Sequence, residues 1–310
     1  MKILVTGGAG YIGSVLVPEL LVDGHEVTVI DNFLYKQNSL AACCAHPKFS
    51  VINADVRRSD VINDQAKNHD VIIPLAALVG APICAKDPIG ATTINYDAII
   101  ALFEILANDQ IVLMPTTNSA YGTGDSNNYC DEESPLHPIS QYAKEKVIIE
   151  EKLLNFPNSI SFRLATVFGM SPRMRTDLLV NDFTYRAVKD GALVLFESHF
   201  KRNYIHVRDV ASVFIHGLMN IDTMRKNIYN VGLSTANLSK LELATAIKKY
   251  LPNLQIIDAP IGKDPDQRNY IVSNTKIEAT GFKPSYSIED GIDELIKGYT
   301  MISNSVYTNI

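Results

Sequence analysis

The opening stretch of the chain limits its fold more than any other. Lys2-Ile3-Leu4-Val5-Thr6 is a short apolar run. It meets Gly7-Gly8-Ala9-Gly10-Tyr11-Ile12-Gly13 at once, and a helical pattern follows through about Leu21. An apolar run of that length reads as a strand buried in a parallel sheet. Gly7, Gly10 and Gly13 keep a G-x-x-G-x-x-G spacing, with Tyr11 and Ile12 inside the loop. Glycine at these places permits a tight turn and lets the backbone approach a pyrophosphate. The helix behind adds N–H groups and the positive end of its dipole. The strand before and the helix after are the context that gives the motif its meaning.

The pattern then repeats. Residues 26–30 form a second strand ending at Asp31-Asn32, and Asp31 lies 18 residues past Gly13. An acid at this strand end accepts hydrogen bonds from the adenosine ribose hydroxyls and repels a 2′-phosphate, so the expected cofactor is NAD rather than NADP. Phe49–Asn53 is a third strand leading to Asp55-Val56, where the aspartate is placed to bond the adenine edge. Residues 71–73 are a fourth strand, followed by Pro74-Leu75-Ala76-Ala77-Leu78-Val79-Gly80. The small residues of Leu75-Ala76-Ala77 suit a backbone lying against the dinucleotide. Residues 81–90, with Pro82 and Pro88, read as a loop, 91–107 as a helix and 111–114 as a fifth strand. This βαβ alternation specifies an α/β fold with a Rossmann-type doubly wound parallel sheet, in which ligands bind at the carboxyl ends of the strands.

A second motif lies beyond the fifth strand. In Ser140-Gln141-Tyr142-Ala143-Lys144-Glu145-Lys146, a tyrosine and a lysine stand four residues apart. On a helix this puts both on one face, one turn apart. A free phenol, with a pKa of about 10, is a poor base at neutral pH. An ammonium about 4 Å away would favour the phenolate by roughly 4 kcal/mol at an effective dielectric near 20. Such a pair can take a proton from an alcohol while a cofactor takes the hydride. Taken alone, Tyr-x-x-x-Lys is also what a solvated helix face looks like. Thr117, in Thr116-Thr117-Asn118-Ser119-Ala120-Tyr121-Gly122, lies at a strand end just ahead of that helix, where a hydroxyl can hold a substrate hydroxyl.

Composition closes off other classes. The net charge of −6 gives no basic field for nucleic acid. No apolar run approaches the roughly 18 residues of a membrane span. The N-terminus runs straight into a strand, so no signal peptide is expected. Cys43, Cys44, Cys84 and Cys130 form no Cys-x-x-Cys pair and read as reduced thiols, with no metal site, in a cytoplasmic protein.

Together these pieces resemble the extended short-chain dehydrogenases, and within them the NAD-dependent nucleotide-sugar epimerases and dehydratases. The likeness continues through Phe162-Arg163-Leu164, Arg202-Asn203-Tyr204-Ile205-His206-Val207, Tyr229-Asn230-Val231-Gly232 and Gly281-Phe282-Lys283-Pro284, and so covers essentially the whole chain. The resemblance implies that Tyr142 is the catalytic base, that Lys146 also holds the nicotinamide ribose, and that Thr117 bonds the reacting sugar hydroxyl. It implies that Arg202 and Arg268 grip the substrate diphosphate. Val79, Asn118, Ser119, Thr166 and Arg173 are further expected substrate contacts. Two departures follow. Family dehydratases carry Asp-Glu after the catalytic threonine, whereas this chain has Asn118-Ser119, so 4,6-dehydration is not expected. Decarboxylases also use a glutamate in this loop, and Ser119 argues against them. Many members have Asn where this chain has Thr166, which sets the common hexose substrates aside. The run Ser171-Pro172-Arg173-Met174-Arg175 resembles a subgroup that oxidises C4 of unusual nucleotide sugars, including GDP-heptoses.

The resulting expectation is an NAD-binding domain over 1–168, with 205–232 returning to it, and a smaller mixed nucleotide-sugar-binding domain over 169–310. In that second part, helices are expected near 176–189, 208–219, 239–249 and 288–302. Short strands are expected at 193–196, 228–231 and 255–257. The family dimerises through two helices per subunit, here 91–107 and 138–155, so a homodimer is implied. The expected activity is NAD-dependent oxidation of a nucleotide sugar at C4, with 4-epimerisation as the alternative. A catalytically silent NAD-binding protein is the reading from a different class, and it would be expected to lose Tyr142, Lys146 or Thr117.

Overall fold

The computed structural model describes residues 1–123, 129–259 and 268–302, without the side chains of residues 81 and 82. Its centre is a seven-stranded sheet. The strands are β1 (Lys2–Thr6), β2 (Glu26–Asp31), β3 (Phe49–Asn53), β4 (Val71–Pro74), β5 (Ile111–Thr117), β6 (Ser159–Leu164) and β7 (Asn227–Val231). All pairings are parallel, in the order β7-β6-β5-β4-β1-β2-β3. The order reverses next to β1. That is where a doubly wound sheet opens a crevice, and the glycine loop leaves β1 at this point.

Burial follows from the apolar runs. Ile3, Leu4, Val5, Ile72, Leu113 and Phe162 are fully buried, as expected for strands covered on both faces. One face is covered by the Gly13–Val22 and Val207–Met219 helices. On the other, the Ala98–Phe103 and Gln141–Leu153 helices pack Ile99, Phe103, Ile149 and Leu153 against Val112 and Met114.

Several local expectations shift. The fifth strand runs on to Thr117 rather than stopping at Met114, because β6 pairs with it from Val112 to Thr117. The stretch 81–90 is not an open loop: Ala81–Lys86 and Pro88–Thr92 are short helices, the second started by the Asp87 carboxylate accepting from Gly90 N–H at 2.9 Å. The expected 91–107 helix is interrupted by a π-helical turn at Thr93–Asp97.

Beyond Leu164 the strict alternation ends. Thr166–Phe168, Lys201–His206 and Asn237–Ser239 form a small separate sheet, and Ala192–Leu195 pairs with Gln255–Asp258. Of residues 205–232, it is β7 that joins the main sheet. The carboxyl-terminal helix Ile288–Met301 is tied down by Glu294, which receives His206 at 2.7 Å and Arg208 at 2.6 Å. Its carboxyl is held down to about 2: burial opposes this, but the bonds to His206 and Arg208 outweigh it. Among the described residues, no helix is long and apolar enough to cross a membrane.

Candidate active site

A cavity of about 950 Å³ lies across the carboxyl ends of the strands. The glycine loop forms one wall. Gly7 has φ 68°, and a Cβ there would stand 2.5 Å from the Ala76 backbone nitrogen. A Cβ on Gly13 would stand 2.5 Å from the Gly8 Cα. Glycine is therefore required to bring the loop after β1 against the loop after β4. Gly10, Tyr11, Ile12, Leu75, Ala76 and Ala77 line the cavity beside them.

Asp31 ends β2 at this wall. Its carboxylate accepts Ala9 N–H at 3.0 Å and Phe33 N–H at 2.7 Å. Burial nevertheless pushes its pKa above the ordinary carboxylate value. Asn32, Asp55 and Val56 extend the same wall. Asp55 is held down to about 2, chiefly by hydrogen bonds from Arg57 at 2.7 and 2.8 Å. The glycine cradle and the carboxylate one strand away fit the pyrophosphate and ribose of NAD, which these residues would hold.

The expected catalytic residues lie further along. Ser140 caps the Gln141–Leu153 helix by accepting Ala143 N–H at 3.2 Å, so the helix starts just before Tyr142. Lys146 is only 4% exposed and donates to Pro115 O at 3.2 Å. Its Nζ stands 5.9 Å from the centre of the Tyr142 ring. Burial pushes the Tyr142 phenol up to about 12 and Lys146 down to about 8. The cations that favour the phenolate are Arg175 and, more weakly, Arg268. Lys146 thus bonds a backbone carbonyl, and the cations acting on the phenol are the two arginines.

Thr117 caps the 3₁₀ turn Asn118–Tyr121. Its Oγ1 accepts Ser119 N–H at 3.1 Å and donates to Ser119 Oγ at 3.0 Å. Ser119 Oγ also receives Arg268. Thr117 and Arg268 therefore meet on one hydroxyl, that of Ser119. Val79, Thr166 and Arg202 line the cavity, with Arg202 4% exposed.

One expected substrate contact is corrected. Asn118 does not face the cavity: it is fully buried, and neither of its amide atoms has a partner. Arg173 lies at the adenosine end, with its guanidinium 3.7 Å from the centre of the Tyr35 ring.

Residues 3–232 match the NAD-dependent epimerase/dehydratase family. The chain belongs to this family. It is an NAD-dependent enzyme of the extended short-chain dehydrogenase type. It is 27% identical to a putative UDP-glucose 4-epimerase of Methanocaldococcus jannaschii, over 95% of this chain and 97% of that protein. It is also 27% identical to the low-salt glycan biosynthesis protein Agl12 of Haloferax volcanii, over 96% and 98%. A UDP-glucuronic acid decarboxylase of Danio rerio is 26% identical over 96% of this chain and 72% of its own length. The fold is that of the Thermus thermophilus UDP-glucose 4-epimerase in complex with NAD, at TM-score 0.82 and 23% identity, covering 97% of this chain and 99% of the other.

In this epimerase/dehydratase-family protein, two site residues escape the motifs. Arg175 donates to Val79 O at 3.3 Å, pairs with Asp177 at 2.5 Å and acts on Tyr142. The Pro172-Arg173-Met174-Arg175 run made both arginines visible, but spacing could not say which one faces the phenol. Asn95 clamps the loop after β4, accepting Leu78 N–H at 2.8 Å and donating to Leu78 O at 2.9 Å. The π-helical turn that aims it leaves no signal in apolar spacing.

Proposed function

We propose that this protein oxidises a nucleotide-activated sugar at C4, acting as a nucleotide-sugar 4-dehydrogenase on a GDP-heptose or a similarly unusual sugar. The observation that carries the proposal is the convergence of Tyr142 and the Thr117 hydroxyl on one cavity, in a loop without a carboxylate. Bound NAD supplies the hydride acceptor for C4. Tyr142 takes the C4 hydroxyl proton, and the Thr117 hydroxyl, fixed through Ser119, orients that hydroxyl. Arg175 and Arg268 favour the phenolate. Lys146 holds the nicotinamide ribose from the helix face below. Arg202 and Arg268 receive the diphosphate through charge-assisted bonds, which suit the guanidinium fork. Neither Asn118 nor Ser119 can exchange protons near pH 7, so loss of water across C5 and C6 has no acid–base pair in this loop.

The 4-epimerase reading stands beside it, supported by the epimerase names among the relatives. The run Ser171 to Arg175 and Thr166 favour oxidation. The same proposal makes 1–168, rejoined by β7, the NAD-binding part and 169–310 the sugar-binding part. It places a homodimer in a reducing cytoplasm, consistent with free thiols at Cys43, Cys44, Cys84 and Cys130. The test is a panel of GDP- and UDP-sugars incubated with the enzyme in deuterated water, with products assigned by NMR and mass spectrometry. A 4-keto sugar of unchanged water content is expected. A single C4-inverted sugar with no keto product would establish the epimerase instead. A dehydrated keto sugar would refute the reading of the Thr117–Ser119 loop, and unchanged cofactor with every sugar would leave a silent binding protein.

A further inference from the structure

The adenosine end of the cavity carries both an acid and a base. Arg173 is 2% exposed yet lines the cavity, together with Asp31, Tyr35 and Lys36. It is brought there by a buried polar weld. Ser171 Oγ donates to Tyr11 O at 2.7 Å and lies 2.8 Å from Ser14 Oγ. Arg173 N–H then donates to Ser14 Oγ at 3.3 Å. Asn181 holds the far side by donating to Arg175 O at 2.8 Å and to the Tyr11 hydroxyl at 3.2 Å. This segment is fastened to the glycine loop itself, so Arg173 moves with the cofactor cradle and not with a substrate lid. Its guanidinium is stacked on Tyr35, four residues after Asp31. The Tyr35 hydroxyl is buried and has no hydrogen-bond partner.

We propose that Arg173 is a specificity-determining residue for the cofactor: with Tyr35 it forms a 2′-phosphate site at the adenosine ribose, which the Asp31 carboxylate keeps closed. An arginine beside the ribose is the group that accommodates a 2′-phosphate in this type of fold, and an acid is the group that excludes it. Here both face one cavity wall. The charged groups acting on Arg173 are Asp31, Asp177 and Arg175, besides the Tyr35 hydroxyl. While Asp31 is ionised, a 2′-phosphate meets its charge and NAD is selected. With that charge removed, the guanidinium, which also donates to Met174 O at 2.8 Å, still presents its positive charge beside the Tyr35 hydroxyl to the phosphate. The competing role for Arg173 is purely structural, as a cation neutralising Asp31 and Asp177; in that case it would not discriminate between ribose substituents.

The test compares 5′-AMP with adenosine 2′,5′-bisphosphate, which differ only in the 2′-phosphate. Titration calorimetry is run on full-length protein freed of copurified dinucleotide: native, Asp31→Asn, Arg173→Gln and the double variant. The native protein is expected to bind 5′-AMP more tightly. Asp31→Asn is expected to reverse the order, with the bisphosphate at least tenfold tighter, the effect of about one charge-assisted hydrogen bond. Adding Arg173→Gln should remove that gain. An equal gain with and without Arg173, or no reversal in Asp31→Asn, overturns the proposal. A second measurement needs no change at Arg173. In Asp31→Asn, bisphosphate affinity should fall more steeply with salt than 5′-AMP affinity, and equal slopes would refute a cation at the 2′-position.

Discussion

Tyr142 and Lys146 each carry an altered proton affinity, and the two alterations have separate consequences. Under the proposed chemistry, Tyr142→Phe removes the group that takes the C4 proton while keeping the ring in its cavity. Turnover should fall about 10²–10⁴-fold with NAD affinity nearly unchanged. Near-native turnover would mean that another residue is the base. Lys146 has a pKa of about 8 in the fold, below its ordinary value. It is therefore a cation below that pH and becomes neutral above it. A contact between its ammonium and the nicotinamide ribose weakens as pH rises through 8. NAD affinity should decline over that range in the native protein and stay flat in Lys146→Met. The linkage runs the other way for stability. A depressed lysine pKa contributes stability above its unfolded value, and this is lost as pH falls through 8. Lys146→Met should therefore melt higher than the native chain at pH 7, and a lower melting temperature would contradict the burial argument.

The Gln141–Leu153 helix shows how an element places these residues. Tyr142, Lys146 and Glu150 follow at intervals of four, so they share one face, turned to the sheet. Glu150 accepts Thr116 Oγ1 at 3.0 Å and Ser161 Oγ at 2.6 Å, and pairs with Arg163 at 2.6 Å. Arg163 in turn donates to the Tyr121 hydroxyl at 3.0 Å. One buried carboxylate thus joins the helix to β5 and β6 directly beneath Thr117. Removing one partner of a buried pair leaves the other uncompensated, so Glu150→Ala should cost about 3–5 kcal/mol in urea unfolding. Glu150→Ala with Arg163→Met should recover much of that loss. If the single variant lost less than about 1 kcal/mol, the pair would not hold the helix as described.

For the whole molecule, the unpartnered apolar surface bears on assembly. Ile89 is 79% exposed on Pro88–Thr92, and Ile148 is 40% exposed on Gln141–Leu153. Ile148 lies in 138–155, one of the two helical regions through which the proposed homodimer would form, and Ile89 stands just ahead of the other, 91–107. Light scattering should give a dimer for the native chain and a monomer for Ile148→Asp. A native monomer, or an aspartate variant that still pairs, would remove these helices from the assembly.

The sequence by itself determined the parallel sheet, the glycine cradle, Asp31 and the Tyr142–Lys146 helix, because each depends on local chemistry. Apolar runs make strands, glycines make close turns, and a four-residue interval makes a helix face. The tertiary structure alone decided which way the remaining side chains point. Asn118 and Ser119 are neighbours in one loop, yet a 3₁₀ turn buries the first and presents the second to Arg268. Arg173 and Arg175 are two residues apart, yet one stacks on Tyr35 and the other bonds Val79 and acts on Tyr142. Spacing shows that such residues diverge, but not to which wall of the cavity each one goes. That depends on contacts with Ser14, Tyr11 and Asn181, which are distant in the chain and meet only when the fold closes.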